Sequence, residues 1–223
     1  MNILEIKNLS FSYENNLILN DISIHLKKGE LVAILGGSGA GKTTLFNIIA
    51  GFIKTDKIVI NGDEILKIGY MQQNDLLLDH LTVLENISLP LVINNIKDYK
   101  NKALELLDEF NLSSLAYKYP KNLSGGQKQR IAFLRTIILR ASLYLLDEPF
   151  NSLDFFTKQK IYEWFKNIQK RLNLSTLLIT HDINEALFLS DRIYLLEIGK
   201  IIKELISKNT NSNEILKAFQ DTK

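Results

Sequence analysis

The sequence predicts an α/β protein with a mostly parallel sheet, entered through an N-terminal antiparallel β subdomain and interrupted by an inserted α-helical subdomain. Three observations carry this. From Leu143 onward apolar strands and amphipathic helices alternate, the rhythm of parallel strands joined by crossover helices. Leu31–Leu35 is a short unbroken apolar run that ends in glycines, as expected of a strand buried on both faces. The residues before it alternate apolar with polar, the mark of strands with one face in water.

Taken in order, Leu4, Ile6, Leu9 and Phe11 follow a spacing near two, and Ile22, Ile24 and Leu26 alternate cleanly with polar neighbours. Lys28-Gly29-Glu30 is a turn signal, and after Leu31–Leu35 the stretch Thr44–Ala50 reads as a helix. Asn61-Gly62 suits a two-residue type I′ hairpin, and Ile68–Met71 reads as the next strand. The texture then changes. Thr82 with Glu85 forms a capping box. Tyr99–Phe110 places Ala103, Leu106, Leu107 and Phe110 on one helical face, and a further helix runs from Ser124 to about Leu139. Residues 75–137 therefore read as a helical insert in an α/β core made of 1–74 and 138–223. That core continues through Leu143–Leu146, Lys158–Arg171, Thr176–Ile179, Ile183–Leu189 and Ile193–Leu196. The tail from Ser207 reads as polar and weakly structured.

Composition narrows the function classes. A hydrophobic share of 46% and a charged share of 23% are those of an ordinary globular protein. A net charge of +2, with basic residues scattered along the chain, argues against nucleic acid as a partner. The abundant Asn, Lys and Ile reflect the coding bias of an AT-rich genome. With no cysteine, disulfides and thiolate metal sites are excluded. His25, His80 and His181 lie far apart in sequence, which disfavours a zinc site. Met1–Asn16 carries Glu5, Lys7 and Glu14 and lacks a signal-peptide core. No apolar run approaches the ~18–20 residues that span a bilayer; the strongest, Ile131–Leu146, is broken by Arg135 and Arg140. The expectation is a cytoplasmic chain whose membrane role comes through a partner.

Gly36-Gly37-Ser38-Gly39-Ala40-Gly41-Lys42-Thr43 matches the phosphate-loop pattern G-x-x-x-x-G-K-[ST]. Its glycines let backbone N–H groups converge on phosphate oxygens, and the following helix turns its positive end to the same anion. Lys42 supplies charge to the β- and γ-phosphates and the Thr43 hydroxyl can ligate Mg²⁺. Thr44 is counted with them among the nucleotide-binding residues. Leu143-Tyr144-Leu145-Leu146-Asp147-Glu148 is an apolar strand ending in two carboxylates, at the strand end where open α/β sheets bind ligands. Asp147 is placed to hold Mg²⁺ through water, and Glu148 to polarise the water that attacks the γ-phosphate. Alone, Asp-Glu-Pro after a strand is usually a solvated turn; the phosphate loop makes it a candidate site. In Leu123-Ser124-Gly125-Gly126-Gln127, Ser124 can cap a helix whose first N–H groups the glycines leave open, a second anion site.

At this point the chain resembles the nucleotide-binding subunits of ABC transporters, over about Leu4 to Ile202 and with the motifs in the family's order. The resemblance implies a P-loop NTPase core that uses ATP and Mg²⁺. It also implies that Ser124, Gly125, Gly126 and Gln127 complete the ATP site of the opposite subunit in a head-to-tail dimer with a second copy or a paralogue. Tyr13 sits where the family stacks an aromatic ring on adenine; a partly buried strand tyrosine is the weaker alternative. Gln73 takes the place of the glutamine that senses Mg²⁺ and links the site to the membrane partner; Gln72 is its neighbouring rival. Asn151-Ser152-Leu153-Asp154 resembles the loop that crosses the dimer interface, and His181 the switch histidine that contacts the γ-phosphate. The implied catalytic set is Lys42, Gln73, Glu148 and His181, and the implied metal set Thr43, Gln73 and Asp147.

There are departures. The stretch between the phosphate loop and Gln73 is short for the family, implying a trimmed antiparallel edge, and Asp79 stands where many relatives carry proline. The chain stops soon after Ile206, without room for the regulatory domain of some importers. Asn74–Pro90 and Thr180–Arg192 look most like the nitrate/sulfonate/taurine group of importers, which includes thiamine-precursor systems. The resemblance therefore implies import of a small solute through a separate membrane permease, with an external solute-binding protein and a peripheral place on the inner membrane face. Export or lipid extraction is the alternative. Soluble DNA-maintenance relatives need a long coiled coil, and the insert has no sustained heptads. Leu76–Leu78 reads equally as permease-facing surface or as core.

Overall fold

The computed structural model describes residues 2–55, 67–151 and 153–221. The Asn61-Gly62 hairpin and Ser152 lie outside the described residues. Strands β1 (Asn2–Tyr13) and β2 (Asn16–Lys27) pair antiparallel, with Ile6 opposite Ile24 and Leu9 opposite Ile22. Their alternation buries Leu4, Ile6, Leu9, Ile22 and Leu26 on one face. The second sheet contains β3 (Leu31–Leu35), β4 (Ile68–Met71), β5 (Leu143–Asp147), β6 (Thr176–Thr180), β7 (Arg192–Glu197) and β8 (Lys200–Ile206). Its order is β4-β5-β6-β3-β7-β8. All neighbours are parallel except the β7–β8 hairpin. The expected fold class is therefore observed.

Every residue of β3, β5 and β6 is buried, which is why these strands read as apolar runs without alternation. Successive side chains nevertheless serve opposite faces. Leu143, Leu145, Leu177 and Ile179 join a core shared with β1, β2 and helix α1 (Lys42–Ile49). Tyr144, Leu146 and Leu178 join a second core shared with helices α2 (Val83–Ile93), α3 (Tyr99–Glu109), α4 (Gly125–Ile137) and α5 (Phe155–Arg171). The layers are thus β-ribbon, sheet and helices, and the parallel strands all end on one edge.

Local chemistry sets the helix starts. Thr82 caps α2 through a capping box with Glu85, as its sequence predicts. Helix α1 begins at Lys42, two residues before the expected Thr44, because Gly41 takes the cap position at φ 101. A Cβ there would sit 2.8 Å from Leu19 Cδ2. Helix α5 begins at Phe155, earlier than Lys158, because Asp154 accepts from Thr157 N at 3.1 Å.

Two corrections concern the C-terminal part. After α6 (Ile183–Leu189), β7 turns into the unexpected β8 through Ile198-Gly199, both at positive φ. The tail from Ser207 is not weakly structured: Ser212–Gln220 forms helix α7, capped by Asn211, with Ile215 fully buried and Ala218 and Phe219 packed beside it. Three apolar residues at helical spacing gave this polar segment a face to bury. Arg192, also buried, ties the ribbon to the sheet. It donates to Glu30 Oε1 at 2.6 Å, the His25 carbonyl at 2.8 Å and the Tyr194 hydroxyl at 2.9 Å, and it also pairs with Glu204.

Candidate active site

The phosphate-loop pattern joins the end of β3 to α1. Gly36 N donates to the Thr180 carbonyl at 3.3 Å, and a Cβ on Gly36 would lie 2.3 Å from the Leu196 carbonyl oxygen, so only glycine fits. Gly37 and Gly39 differ: a Cβ on either would meet nothing within 4 Å, so the backbone there borders open space that a ligand can enter. Helix α1 starts with no side-chain cap and no acid in its first turn, leaving its N–H groups and positive end available to an anion. Lys42 Nζ donates to the carbonyls of Gly36 at 2.9 Å and Gly37 at 2.7 Å, which holds the ammonium over the loop. Burial pushes the Lys42 ammonium down from the usual lysine range, and Glu148 and Asp147 oppose that.

Asp147, the last residue of β5, is buried. It accepts from Thr43 Oγ1 at 3.3 Å and from the Tyr70 hydroxyl at 3.4 Å. Burial pushes its carboxyl up and the neighbouring Glu148 adds to this, while the Thr43 and Tyr70 hydrogen bonds and the Lys42 charge oppose it. Glu148 continues the ladder with N–H to the Ile179 carbonyl at 2.9 Å but adopts φ 46, the left-handed region. Its carboxylate meets four partners. Lys42 Nζ is 3.9 Å from Oε1, and His181 Nδ1 is 3.1 Å from Oε2. Asn151 Nδ2 donates to Oε2 at 3.1 Å and Gln73 Nε2 at 3.4 Å. Lys42, Gln73, Glu148 and His181, dispersed in sequence, thus meet at the ends of neighbouring strands.

Other expected residues lie apart from this cluster. Ser124 caps α4 and forms a capping box with Gln127, accepting from its N–H at 3.3 Å. That helix packs on β4, α2 and α5. Built Cβ atoms on Gly125 and Gly126 would lie 3.3 Å from Leu153 Cδ2 and 2.8 Å from Thr157 Cγ2, so the motif sits against the start of α5. Asp154 spends its carboxylate on capping that helix, and the Thr157 hydrogen bonds hold its carboxyl below the usual range. Tyr13 ends β1 edge-on to Phe11, 4.9 Å between ring centroids, and is 49% exposed, leaving ring surface free. Leu77 is buried whereas Leu76 and Leu78 are exposed, so that segment divides between core and surface.

Three contacts were not foreseen. Tyr70, whose hydroxyl reaches Asp147, occupies a strand only four residues long, too short for alternation to give its direction. In sequence Asn151 is only part of a loop, yet its amide holds Glu148. In sequence Arg135 is a mere break in an apolar run. It donates to the carbonyls of Asp75 at 2.6 Å and Leu76 at 2.8 Å, joining α4 to the loop that carries Gln73.

Among the described residues, no helix is long and apolar enough to cross a membrane, and no group of three or more His, Cys, Asp or Glu forms a metal site. A formylaminopyrimidine import ATP-binding protein of Halalkalibacterium halodurans is 42% identical over 196 residues, covering 86% of this chain and 79% of that protein. A sulfate/thiosulfate import ATP-binding protein of Cucumis sativus is 37% identical over 213 residues, 89% of this chain; the chain spans 61% of that relative's length. Of the solved structures, an inward-facing metal-chelate type ABC transporter superposes with a TM-score of 0.85 at 25% identity, covering 98% of this chain and 89% of that one. A dimeric bacterial ABC transporter cassette gives 0.75 at 30% identity, covering 92% and 98%. The family model described as ABC transporter matches residues 19–151, more than half of the sequence, and the chain belongs to that family.

Proposed function

We propose that this chain is the ATP-hydrolysing subunit of an ABC transporter that imports a small solute through a separate membrane permease. The observation that carries this is the meeting of Lys42, Gln73 and His181 around the Glu148 carboxylate at the mouth of the phosphate loop. The chemistry of the donor set suits ATP with Mg²⁺. The loop offers open space beside Gly37 and Gly39, and Thr43 and Asp147 present hard oxygens, few enough for a cation that also takes phosphate oxygens and water. When bound, ATP supplies the phosphoanhydride bond and Mg²⁺ neutralises charge on its phosphates.

Each residue then has a role. Lys42 exchanges its two loop carbonyls for phosphate oxygens. Thr43 and Asp147 would hold Mg²⁺ when it is bound, and Gln73, beside Glu148, is the residue that would link the site to the permease. Glu148 takes the proton of the attacking water, and His181 steadies the γ-phosphate. Gly36–Gly41 and Thr44 bind phosphates through the backbone and the first turn of α1, and Tyr13 offers its free ring to adenine. Ser124–Gln127 and Asp154 act on the nucleotide of a second subunit, identical or paralogous. ATP bridging the two closes them because it binds the closed state better, and hydrolysis releases them.

The curated relatives named above are import proteins, and a spermidine/putrescine import ATP-binding protein of Haemophilus influenzae is 35% identical. Together with Asn74–Pro90 and Thr180–Arg192, they support an importer, which we assign to the nitrate/sulfonate/taurine group. The helical insert 75–137, with exposed Leu76 and Leu78, is the part that meets the permease. The chain is then cytoplasmic, held at the inner membrane face by that partner.

The test is to tag the chain in its native cell, extract membranes gently and identify what co-purifies. A multi-span permease with an external solute-binding protein is expected. A permease without a binding protein turns the reading to export or lipid extraction, and no membrane protein at all overturns the transport assignment.

A further inference from the structure

We propose that Phe155 and Phe156 of one copy dock into an apolar cavity at the lip of the phosphate loop of a second copy, and that this contact helps close the dimer. It rests on the shared-site dimer proposed above and adds a specific anchor to it. The two phenylalanines form the first turn of α5, pack edge-to-face at 5.7 Å and are 68% and 79% exposed. Two adjacent exposed aromatic rings at a helix start are costly in water and are the usual anchors of an interface.

The receiving surface is a cavity of about 490 Å³. The phosphate-loop backbone and His181 form one wall, and Leu35, Ile183, Ile198 and Phe219 supply apolar lining. A cavity of ~150 Å³ holds one benzene, so two phenyl rings fit this space. Ile198 is an independent sign. It is a β-branched residue at φ 43 in a tight hairpin turn, 86% exposed, where Asn or Gly would be the unstrained choice. Both its backbone and its exposed side chain carry a cost that burial by a partner offsets.

Placement joins the two surfaces. The Ser124–Gln127 motif packs on Leu153 and Thr157, and the phenylalanine pair lies at the same end of α5, with Phe155 turned to the side of Asp182, Asn184 and Phe188. If that motif faces a partner's phosphate loop, the pair faces the region beside that loop, where the cavity opens. A two-fold axis makes the contact twice, since each copy presents both halves.

The chain contains no cysteine, so paired cysteines can be introduced on a clean background. In a Glu148→Gln background, Phe156→Cys and Ile198→Cys together should give an ATP-dependent intermolecular crosslink with a short bis-maleimide, absent with ADP. Separately, Phe155→Ser with Phe156→Ser should weaken ATP-dependent dimerisation, read by light scattering, by roughly tenfold or more. A dimer that forms with ATP in both backgrounds, without the crosslink and without weakening, overturns this contact and leaves the shared site standing. Failure of the Glu148→Gln protein itself to dimerise with ATP brings down the shared-site reading as well.

Discussion

His181 Nδ1 lies 3.1 Å from Glu148 Oε2, so the residue after β6 touches the residue after β5 across the mouth of the phosphate loop. Register brings them near: Asp147 pairs with Ile179, so Glu148 falls level with Thr180 and His181 lies one residue beyond, both leaving their strands at the same end of the sheet. Replacing Glu148 with Gln keeps the shape and the Asn151 neighbour but removes the base. Turnover should fall by about 10²–10⁴, the scale of a positioned acid/base group, while binding of ATP is retained. Phosphate release together with nucleotide titration checks both halves, and near-normal turnover would remove Glu148 from the role.

Lys42 is the buried cation of the loop, and its ammonium donates to the carbonyls of Gly36 and Gly37. Lys42→Ala should weaken ATP binding at least about tenfold, since a charge-assisted contact of roughly 1.5–3 kcal/mol is lost. Lys42→Arg should fare little better, because a fork-shaped guanidinium cannot occupy the slot of a compact ammonium. Calorimetric titration with ATP decides. An arginine variant with wild-type affinity would mean that diffuse positive charge suffices and that the two carbonyl contacts do not position the group.

Ser124→Arg places bulk and charge where the cap of α4 faces solvent, without touching the phosphate loop of its own chain. Nucleotide binding by the monomer should persist while ATP-dependent dimerisation and hydrolysis disappear. Dimerisation measured by light scattering and activity should fall together. A variant that still dimerises and turns over would defeat the shared-site scheme.

Much of the site was legible in the sequence because it is built from contiguous motifs whose spacing has a local cause. Gly36–Thr43 needs open backbone, Asp147 and Glu148 need a strand end, and Ser124 needs a helix to cap. What escaped reading were contacts made by long-range packing. Tyr70 reaches Asp147 only because β4 pairs with β5, and Arg135 reaches the Asp75 and Leu76 carbonyls only because α4 crosses that loop. Helix α7 is illegible in the sequence for a different reason. Its apolar face is only three residues wide, so composition outweighs periodicity, and only the sheet face of Leu35, Ile193 and Leu195 gives it a surface to cover.

Arg192 links the ribbon to the sheet through Glu30, the His25 carbonyl and Tyr194. Burial alone would raise the Glu30 carboxyl, yet hydrogen bonds from Arg192 and Lys27 N hold it below the usual range. Arg192→Met leaves that carboxylate partly buried without its cation, and should cost about 3–5 kcal/mol in urea unfolding. Adding Glu30→Gln should restore part of the loss, because the two changes share one interaction. Strictly additive losses would show that the pair contributes nothing of its own.

Glu185 offers a test in which the sign is as informative as the size. It is buried on α6, receives the Tyr162 hydroxyl at 3.1 Å and leaves Oε1 without a hydrogen bond, although the Thr180 hydroxyl lies close enough to favour the ionised form. Burial pushes its carboxyl up to about 7 and the nearby Asp182 adds to this, while Tyr162 and Lys158 oppose it. The folded chain therefore keeps this proton over a range where the unfolded chain, near 4.5, has lost it. The group's stabilisation is fully present below the unfolded value and is lost as pH rises through about 7. Glu185→Gln is neutral throughout and escapes that loss. Relative to the parent, the glutamine chain should gain stability on the order of 2–3 kcal/mol between about pH 5 and pH 8, then level off. Urea midpoints of both chains across that range give the difference directly. A difference independent of pH would mean that Glu185 is ionised in the folded protein, with water or Lys158 offsetting its burial.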